Sequence, residues 1–217
     1  MLELGLKFTF AYLLGSVLGS LVVGFAYGGV DIRELGSGNA GGTNALRTQG
    51  KWFALWVMVI DVSKGIVAAA WLPALTIPGI APDPEINRTF LLYAVSFAAI
   101  VGHVFPVWFG FRGGKGGATA AGVLVYLAPP VALPVLGAWL LIIVLTGFVG
   151  LATIGAGLAA ALYVALARLP EDRGLFVLVC AVAALLVYTH RGNIRRMLNG
   201  TESRFTRPVW GRLSGGK

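Results

Sequence analysis

Long apolar runs alternate with short polar islands along this chain. The runs cover about residues 8–30, 52–72, 89–109, 131–148, 150–168 and 174–190, with a shorter stretch at 118–128. They lack the period-two alternation of barrel strands. Most approach the roughly 20 residues a helix needs to cross hydrocarbon. The pattern predicts an all-α polytopic membrane protein. Pro129-Pro130 breaks any helix running through it, so 118–128 and 131–148 read as separate helices. The acidic, Pro-rich linker from Pro78 to Glu85 and the linker Pro170-Glu171-Asp172-Arg173 read as outside turns. The first run is longer than a signal-peptide core, and its flank carries one Lys and one Glu instead of a basic cluster. It reads as a retained transmembrane helix, although Ala26-Tyr27-Gly28 weakly resembles a cleavage site.

Composition agrees. The 217 residues are 57% hydrophobic and only 12% charged, with a mean hydropathy of +0.82. Soluble chains carry about 25% charged residues. No internal repeat or separate soluble domain is visible, so residues 1–217 read as one membrane domain ending in a tail from residue 203. The single cysteine, Cys180, excludes an intramolecular disulfide.

Charge then sets sidedness. From His190 onward there are seven basic residues (Arg191, Arg195, Arg196, Arg204, Arg207, Arg212 and Lys217) against one acid, Glu202. A basic tail after a last apolar span belongs on the cytoplasmic side, near anionic headgroups. Nucleic-acid binding is a poor reading, because nothing supplies a soluble recognition domain. The islands 31–51, 110–117 and 190–212 each hold more Lys and Arg than acid, so all three face the cytoplasm. An even number of crossings must therefore separate them. Splitting 118–148 at the prolines meets this condition and gives seven helices, with the N-terminus outside and the C-terminus inside. The 118–128 helix is then short for a span unless Gly116 onward belongs to it, and a five-span arrangement is the fallback.

The islands carry the chemistry. Gly36 to Arg47 holds Ser, Thr, two Asn, one Arg and no acid, an inventory of donors suited to phosphate oxygens. The bland alternative is a Gly-rich connecting loop. Phe109 to Gly117 sets Lys115 among glycines that allow close backbone approach to an anion, or else form a turn with a membrane-anchoring Lys. It is not a phosphate-binding loop of the G-x-x-x-x-G-K-[ST] type, because Phe109 and Gly116 occupy required positions. In the third island His190 and Asn193 share a face if the last helix continues, and Asn199-Gly200 looks like a helix C-cap. Arg191 and Arg195, on another face, are placed to meet lipid phosphates, and Glu202 is placed to pair with an island cation and fix the tail. Asp61 and Lys64 stand at i, i+3 in the second run, as an ion pair or as the lining of a headgroup pocket. His103 reads as a buried hydrogen-bonded residue near a helix end. There is no cluster with metal-ligand spacing. Ser37 lacks the G-x-S-x-G elbow, and neither His begins a His-x-x-x-x-Asp box.

Three ordered elements carry a resemblance. They are Ser37-Gly38-Asn39, Gly41, Thr43-Asn44 with Arg47; Gly102-His103, Phe105-Pro106 with Phe111 to Gly116; and His190, Asn193-Ile194, Arg196, Gly200 and Glu202. Together with Asp61, Lys64 and Gly65 they resemble the bacterial membrane glycerol-3-phosphate acyltransferases that use acyl phosphate, the PlsY family. Arg112 stands where that family usually has Lys, and Gly117 where it often has Val. The resemblance implies acyl transfer from acyl phosphate to the 1-hydroxyl of glycerol 3-phosphate at the cytoplasmic face of the bacterial inner membrane. It implies no metal or cofactor, and contact with membrane lipids. By the same resemblance Ser37 and Arg47 hold phosphate, Lys115 with Gly113, Gly114 and Gly116 completes the anion site, and His190 and Asn193 orient the acceptor. Gly38, Asn39, Thr43, Asn44, Arg196 and Glu202 are the remaining substrate-binding candidates. The main competing class is a transporter of small phosphorylated anions, with Asp61 and Lys64 lining a path. A noncatalytic lipid-binding scaffold leaves the dense donor set unexplained.

Overall fold

The structure, a computed structural model, describes residues 1–205; Arg207, Arg212 and Lys217 of the basic tail lie outside the described residues. Every regular element among the described residues is helical. The chain divides into two compact units at Leu127/Ala128.

The first unit holds α1 (Leu2–Gly15), α2 (Gly19–Ala26), α3 (Gly42–Gln49), α4 (Lys51–Trp71), α5 (Arg88–Val104) and α6 (Gly117–Leu127). Its helices meet through small residues, as expected where lipid tails offer no competing hydrophobic drive and van der Waals packing must decide. Gly15 of α1 lies against α5, where a Cβ would fall 2.1 Å from the Ala99 carbonyl oxygen. Gly102 of α5 answers it, with the Tyr12 carbonyl oxygen 2.1 Å from a Cβ there. The α4–α6 contact repeats the device at Gly65, against Thr119, and Gly122, against Val62. Asn87 caps α5 by accepting from the Thr89 and Phe90 amides at 2.8 and 3.2 Å.

The second unit holds α7 (Pro129–Thr146), α8 (Val149–Ala167), α9 (Arg173–Thr189) and α10 (Arg191–Leu198). Proline at the first position of α7 confirms the break expected there, since its missing N–H is not needed at a helix start. Leu133 and Leu166 are 77% and 78% exposed, which is the surface a lipid-facing helix presents. Asn199 and Gly200 close α10 as expected. Gly200 takes φ +69°, its amide donates to the Met197 carbonyl, and the Thr201 amide donates to that of Arg196.

Four helical runs (α4, Arg88–Phe109, α7 and α8) are long and apolar enough to cross a membrane, or six if each bent pair counts as one span. Three sequence expectations need correction. The first run is not one helix: it starts at Leu2 and bends by 44° between Gly15 and Gly19. The last helix does not continue through the third island; α9 and α10 meet at 53°. Gly116 does not lengthen α6, because its φ of +88° lies outside helical space. At 11 residues, α6 is about 16 Å long, half the hydrocarbon thickness.

Candidate functional site

The first island is ordered by Asn44. Its side chain is buried in α3 while the loop before it is exposed. Nδ2 donates to the carbonyls of Ile32, Leu35 and Asn39 at 2.8, 3.0 and 3.0 Å, and Oδ1 accepts from the Ser37 amide at 3.0 Å. Gly36 is needed there, since with φ +57° a Cβ would sit 2.4 Å from that Oδ1. Asn39 Oδ1 accepts from the Gly41 amide at 2.9 Å, turning the chain into α3. Of the expected ligands, Asn44 and the Asn39 Oδ1 are therefore engaged in shaping the loop. Ser37, Gly38, Thr43 and Arg47 are exposed or near the surface around it. The side chains of Ser37, Thr43 and Arg47 have no hydrogen-bond partner among the described residues.

The second island wraps His103. The Gly114 amide donates to the His103 carbonyl at 3.1 Å. A Cβ on Gly113 would meet that carbonyl oxygen at 2.1 Å, and one on Gly114 would meet the ring Nε2 at 2.1 Å. Only glycine permits this approach, which sets Lys115 half-buried at the start of α6. Gly116 follows in the left-handed region, at φ +88°.

Arg33 joins the two islands, and sequence reasoning missed it. Its guanidinium lies over the Phe109 ring at 5.3 Å, and its Nη1 donates to the Arg112 carbonyl at 3.3 Å. Asp31 fixes it, accepting from Nε and Nη2 at 3.0 and 2.7 Å. An acid two residues before an Arg is too common a pattern to have marked the contact. The Arg33 guanidinium beside Asp31 holds its carboxyl below the usual carboxylate range. The stabilisation is therefore complete above the ordinary value near 3.8 and is lost as pH falls through the lower folded value. Asp31→Asn is expected to flatten this acid limb in a thermal-unfolding series run from neutral pH downward in detergent.

In the second unit His190 occupies the corner between α9 and α10 and is buried. Its Nδ1 lies 2.8 Å from the Leu186 carbonyl, which can only accept, so the proton is assigned to Nδ1 and Nε2 is the basic nitrogen. Asn193 is also buried, packed where Gly150 of α8 leaves room; a Cβ on that glycine would fall 3.0 Å from the Asn193 Cβ. Its Nδ2 donates to Glu202 Oε1 at 2.6 Å, while Arg196 Nε donates to Oε2 at 2.6 Å. Glu202 thus pairs with an island cation as expected and also orients Asn193. Beyond it, Arg204 and Phe205 bond back to the Thr146 and Gly147 carbonyls at 3.3 and 2.7 Å, strapping the segment to the α7–α8 turn. Glu202→Ala would leave Asn193 and Arg196 without this acceptor, with a loss of about 10-fold in kcat/KM and about 1–3 kcal/mol of stability. Glu202→Gln, which keeps Oε1 for Asn193, is expected to lose less; steady-state kinetics beside thermal midpoints checks both.

Comparison with known proteins fits this arrangement. The chain is 40% identical over 219 residues to a glycerol-3-phosphate acyltransferase of Chlorobaculum parvum, covering 91% of this chain and 94% of that relative. A second relative of the same name, from Chlorobium luteolum, is 38% identical over 220 residues, with 90% and 94% covered. Among solved structures, the chain matches the glycerol 3-phosphate form of PlsY (YgiH), an integral membrane glycerol 3-phosphate acyltransferase, with a TM-score of 0.79. That match has 37% identity and covers 97% of this chain and 98% of the other. The lysphosphatidic acid form gives a TM-score of 0.78 at 38% identity, with 94% and 95% covered. The family model described as glycerol-3-phosphate acyltransferase spans residues 6–200, which takes in α2 through α10, the first two islands and the third as far as Gly200, and the chain belongs to that family.

Proposed function

We infer that this multi-pass membrane protein transfers an acyl group from acyl phosphate to the 1-hydroxyl of glycerol 3-phosphate, giving lysophosphatidic acid and inorganic phosphate. The observation that carries the reading is a pair of donor-rich, acid-poor loops joined through Arg33, one ordered by Asn44 and the other wrapped on His103. Family membership agrees with it.

The substrate hydroxyl attacks the carbonyl carbon of acyl phosphate, the bond from that carbon to the phosphate oxygen breaks, and phosphate departs. Ser37 and Arg47 hold phosphate oxygens, with Arg47 as a two-pronged clamp. Lys115 and the neighbouring amides of Gly113 and Gly116 complete the phosphate site and stabilise the charge that develops on the carbonyl oxygen. The Gly114 amide, bonded to the His103 carbonyl, serves only to shape the loop. His190 and Asn193 orient the acceptor. The hydroxyl proton passes to His190 Nε2 or to the departing phosphate. Transfer is direct, because the Ser37 hydroxyl has no hydrogen-bonded base among the described residues to make it a nucleophile. A carboxylic-phosphoric anhydride is already activated, so the site needs cations and donors more than a strong base.

The seven apolar helices run from an outside N-terminus to a cytoplasmic C-terminus in the bacterial inner membrane, with the islands on the cytoplasmic face and the short α6 counted as a crossing. The basic excess of the islands supports this sidedness. Purified protein in detergent or lipid mesophase, given acyl phosphate and glycerol 3-phosphate, is expected to release phosphate and form lysophosphatidic acid. Release no greater than that of Arg47→Ala would overturn the reading, and solute flux in liposomes would favour transport.

A further inference from the structure

The break in the first span leaves backbone groups unpaired inside the membrane region, where each such group is costly. The Asp61–Lys64 pair of α4 supplies the missing partners. Lys64 Nζ donates to the Val17 carbonyl at 2.7 Å, and Asp61 Oδ1 accepts from the Gly19 amide at 3.2 Å. The two charges also bridge each other at 2.9 Å. Each charge matches the helix end it meets: the ammonium lies by the carbonyl end of α1, the carboxylate by the amide end of α2. An ion pair kept only for mutual neutrality would not need this orientation. Gly19 has no side chain because α2 rests on α4 there; a Cβ would fall 2.8 Å from the Val57 carbonyl oxygen and 3.1 Å from Asp61 Oδ1.

The third ammonium hydrogen reaches His103, whose Nδ1 lies 2.8 Å from Lys64 Nζ. The ammonium thus has Val17, the Asp61 carboxylate and His103 around it, and Nδ1 is assigned as its acceptor, with Asp61 Oδ1 3.4 Å from the same nitrogen. The opposite ring edge, carrying Nε2, is the edge against which Gly114 packs. The corner of the first span, the α4 ion pair, the α5 imidazole and the glycine loop beside Lys115 form one connected chain of contacts, buried at Asp61, Lys64 and His103.

We infer that Asp61, Lys64 and His103 are positioning residues for the acyl transfer: the oriented ion pair fixes the corner of the first span and, through the His103 ring, sets where the Gly113–Gly116 loop presents Lys115. This rests on the acyltransferase reading above and adds to it residues that do not touch substrate.

Steady-state kinetics on purified protein in lipid mesophase, with KM for each substrate and kcat normalised to folded protein, tests the assignment. Wild type and Arg47→Ala are run first; a silent wild type would overturn the acyltransferase reading and this assignment with it, whereas the variants below overturn this assignment alone. With wild type active, Lys64→Met and His103→Phe are expected to lose about 10- to 100-fold in kcat/KM per folded molecule. Val95→Ala, a buried packing change on α5, serves as the stability control, expected to lower the thermal midpoint and keep kcat/KM within about twofold. The charge-reversed double variant Asp61→Lys/Lys64→Asp keeps a pair but sets donor against donor and acceptor against acceptor at the corner, so it is not expected to recover activity. Where charge variants do not fold, the histidine variants decide, because they leave the ion pair intact. His103→Gln, whose amide oxygen can accept from Lys64, should retain more kcat/KM than His103→Phe. Wild-type kinetics in the reversed pair, or losses in the His103 variants no greater than in Val95→Ala at matched stability, would overturn the inference.

Discussion

Arg47→Ala is expected to lower kcat/KM about 100- to 1000-fold, the loss typical of removing a donor from a developing negative charge. The thermal midpoint should hardly move. Arg47 lies in the last turn of α3, is exposed, and makes no side-chain bond among the described residues whose removal would loosen the fold. Arg47 is carried by helix α3, whose preceding loop is ordered by the Asn44 bonds to residues 32–39. Arg47→Lys keeps the charge but loses the fork, so it should recover only part of the rate. Phosphate release at saturating and at limiting acyl phosphate separates the contributions. A fall confined to KM would assign Arg47 to ground-state binding alone, whereas an equal fall in kcat and kcat/KM would assign it to the transition state. Wild-type kinetics in Arg47→Ala would remove this residue from the mechanism.

Much of this was legible in the sequence because it depends on local pattern. Apolar runs gave the helices, Pro129-Pro130 gave the α6–α7 break, and Asn199-Gly200 gave the end of α10. The i, i+3 spacing of Asp61 and Lys64 gave an ion pair, which the structure closes at 2.9 Å. The two bends were not legible, for the same physical reason in each. No proline marks Ser16-Val17-Leu18, and the groups that make the bend tolerable lie on α4, more than forty residues further along the chain. At His190 the chain turns where Gly150 of α8, also about forty residues away, leaves room for Asn193. The structural part played by Asn44 was not legible either. An Asn in a donor-rich loop reads as a ligand, but only tertiary structure shows that its amide already bonds three carbonyls and an N–H. Arg33 was missed because its partners, Phe109 and Arg112, come from the other island.

Gly114→Ala is expected to cost about 100-fold in turnover from a single methyl group. The added Cβ would fall 2.1 Å from His103 Nε2 and 2.8 Å from Cε1. The ring has no easy retreat, because its other edge is bonded to Lys64 at 2.8 Å and the residue is buried. The loop must move instead, and with it the adjacent Lys115. Overpacking of this kind costs about 1–3 kcal/mol, so a fall of several degrees in the thermal midpoint should accompany the kinetic loss. Gly110→Asn supplies the contrast. Its φ of +61° is a conformation that asparagine tolerates, and a Cβ there meets no atom within 4 Å among the described residues. That variant should keep near-wild-type turnover, which would show that the loop tolerates side chains except where it touches His103. His103→Ala in the Gly114→Ala background opens space for the methyl group but also removes the ring that carries the loop. If steric push alone explains the loss, the double variant should recover activity; if the ring is also the support, it should not. Non-recovery, with the thermal midpoint partly restored, is the expected result. Wild-type turnover in Gly114→Ala alone would mean that the 113–116 backbone does not present Lys115 to the reacting phosphate.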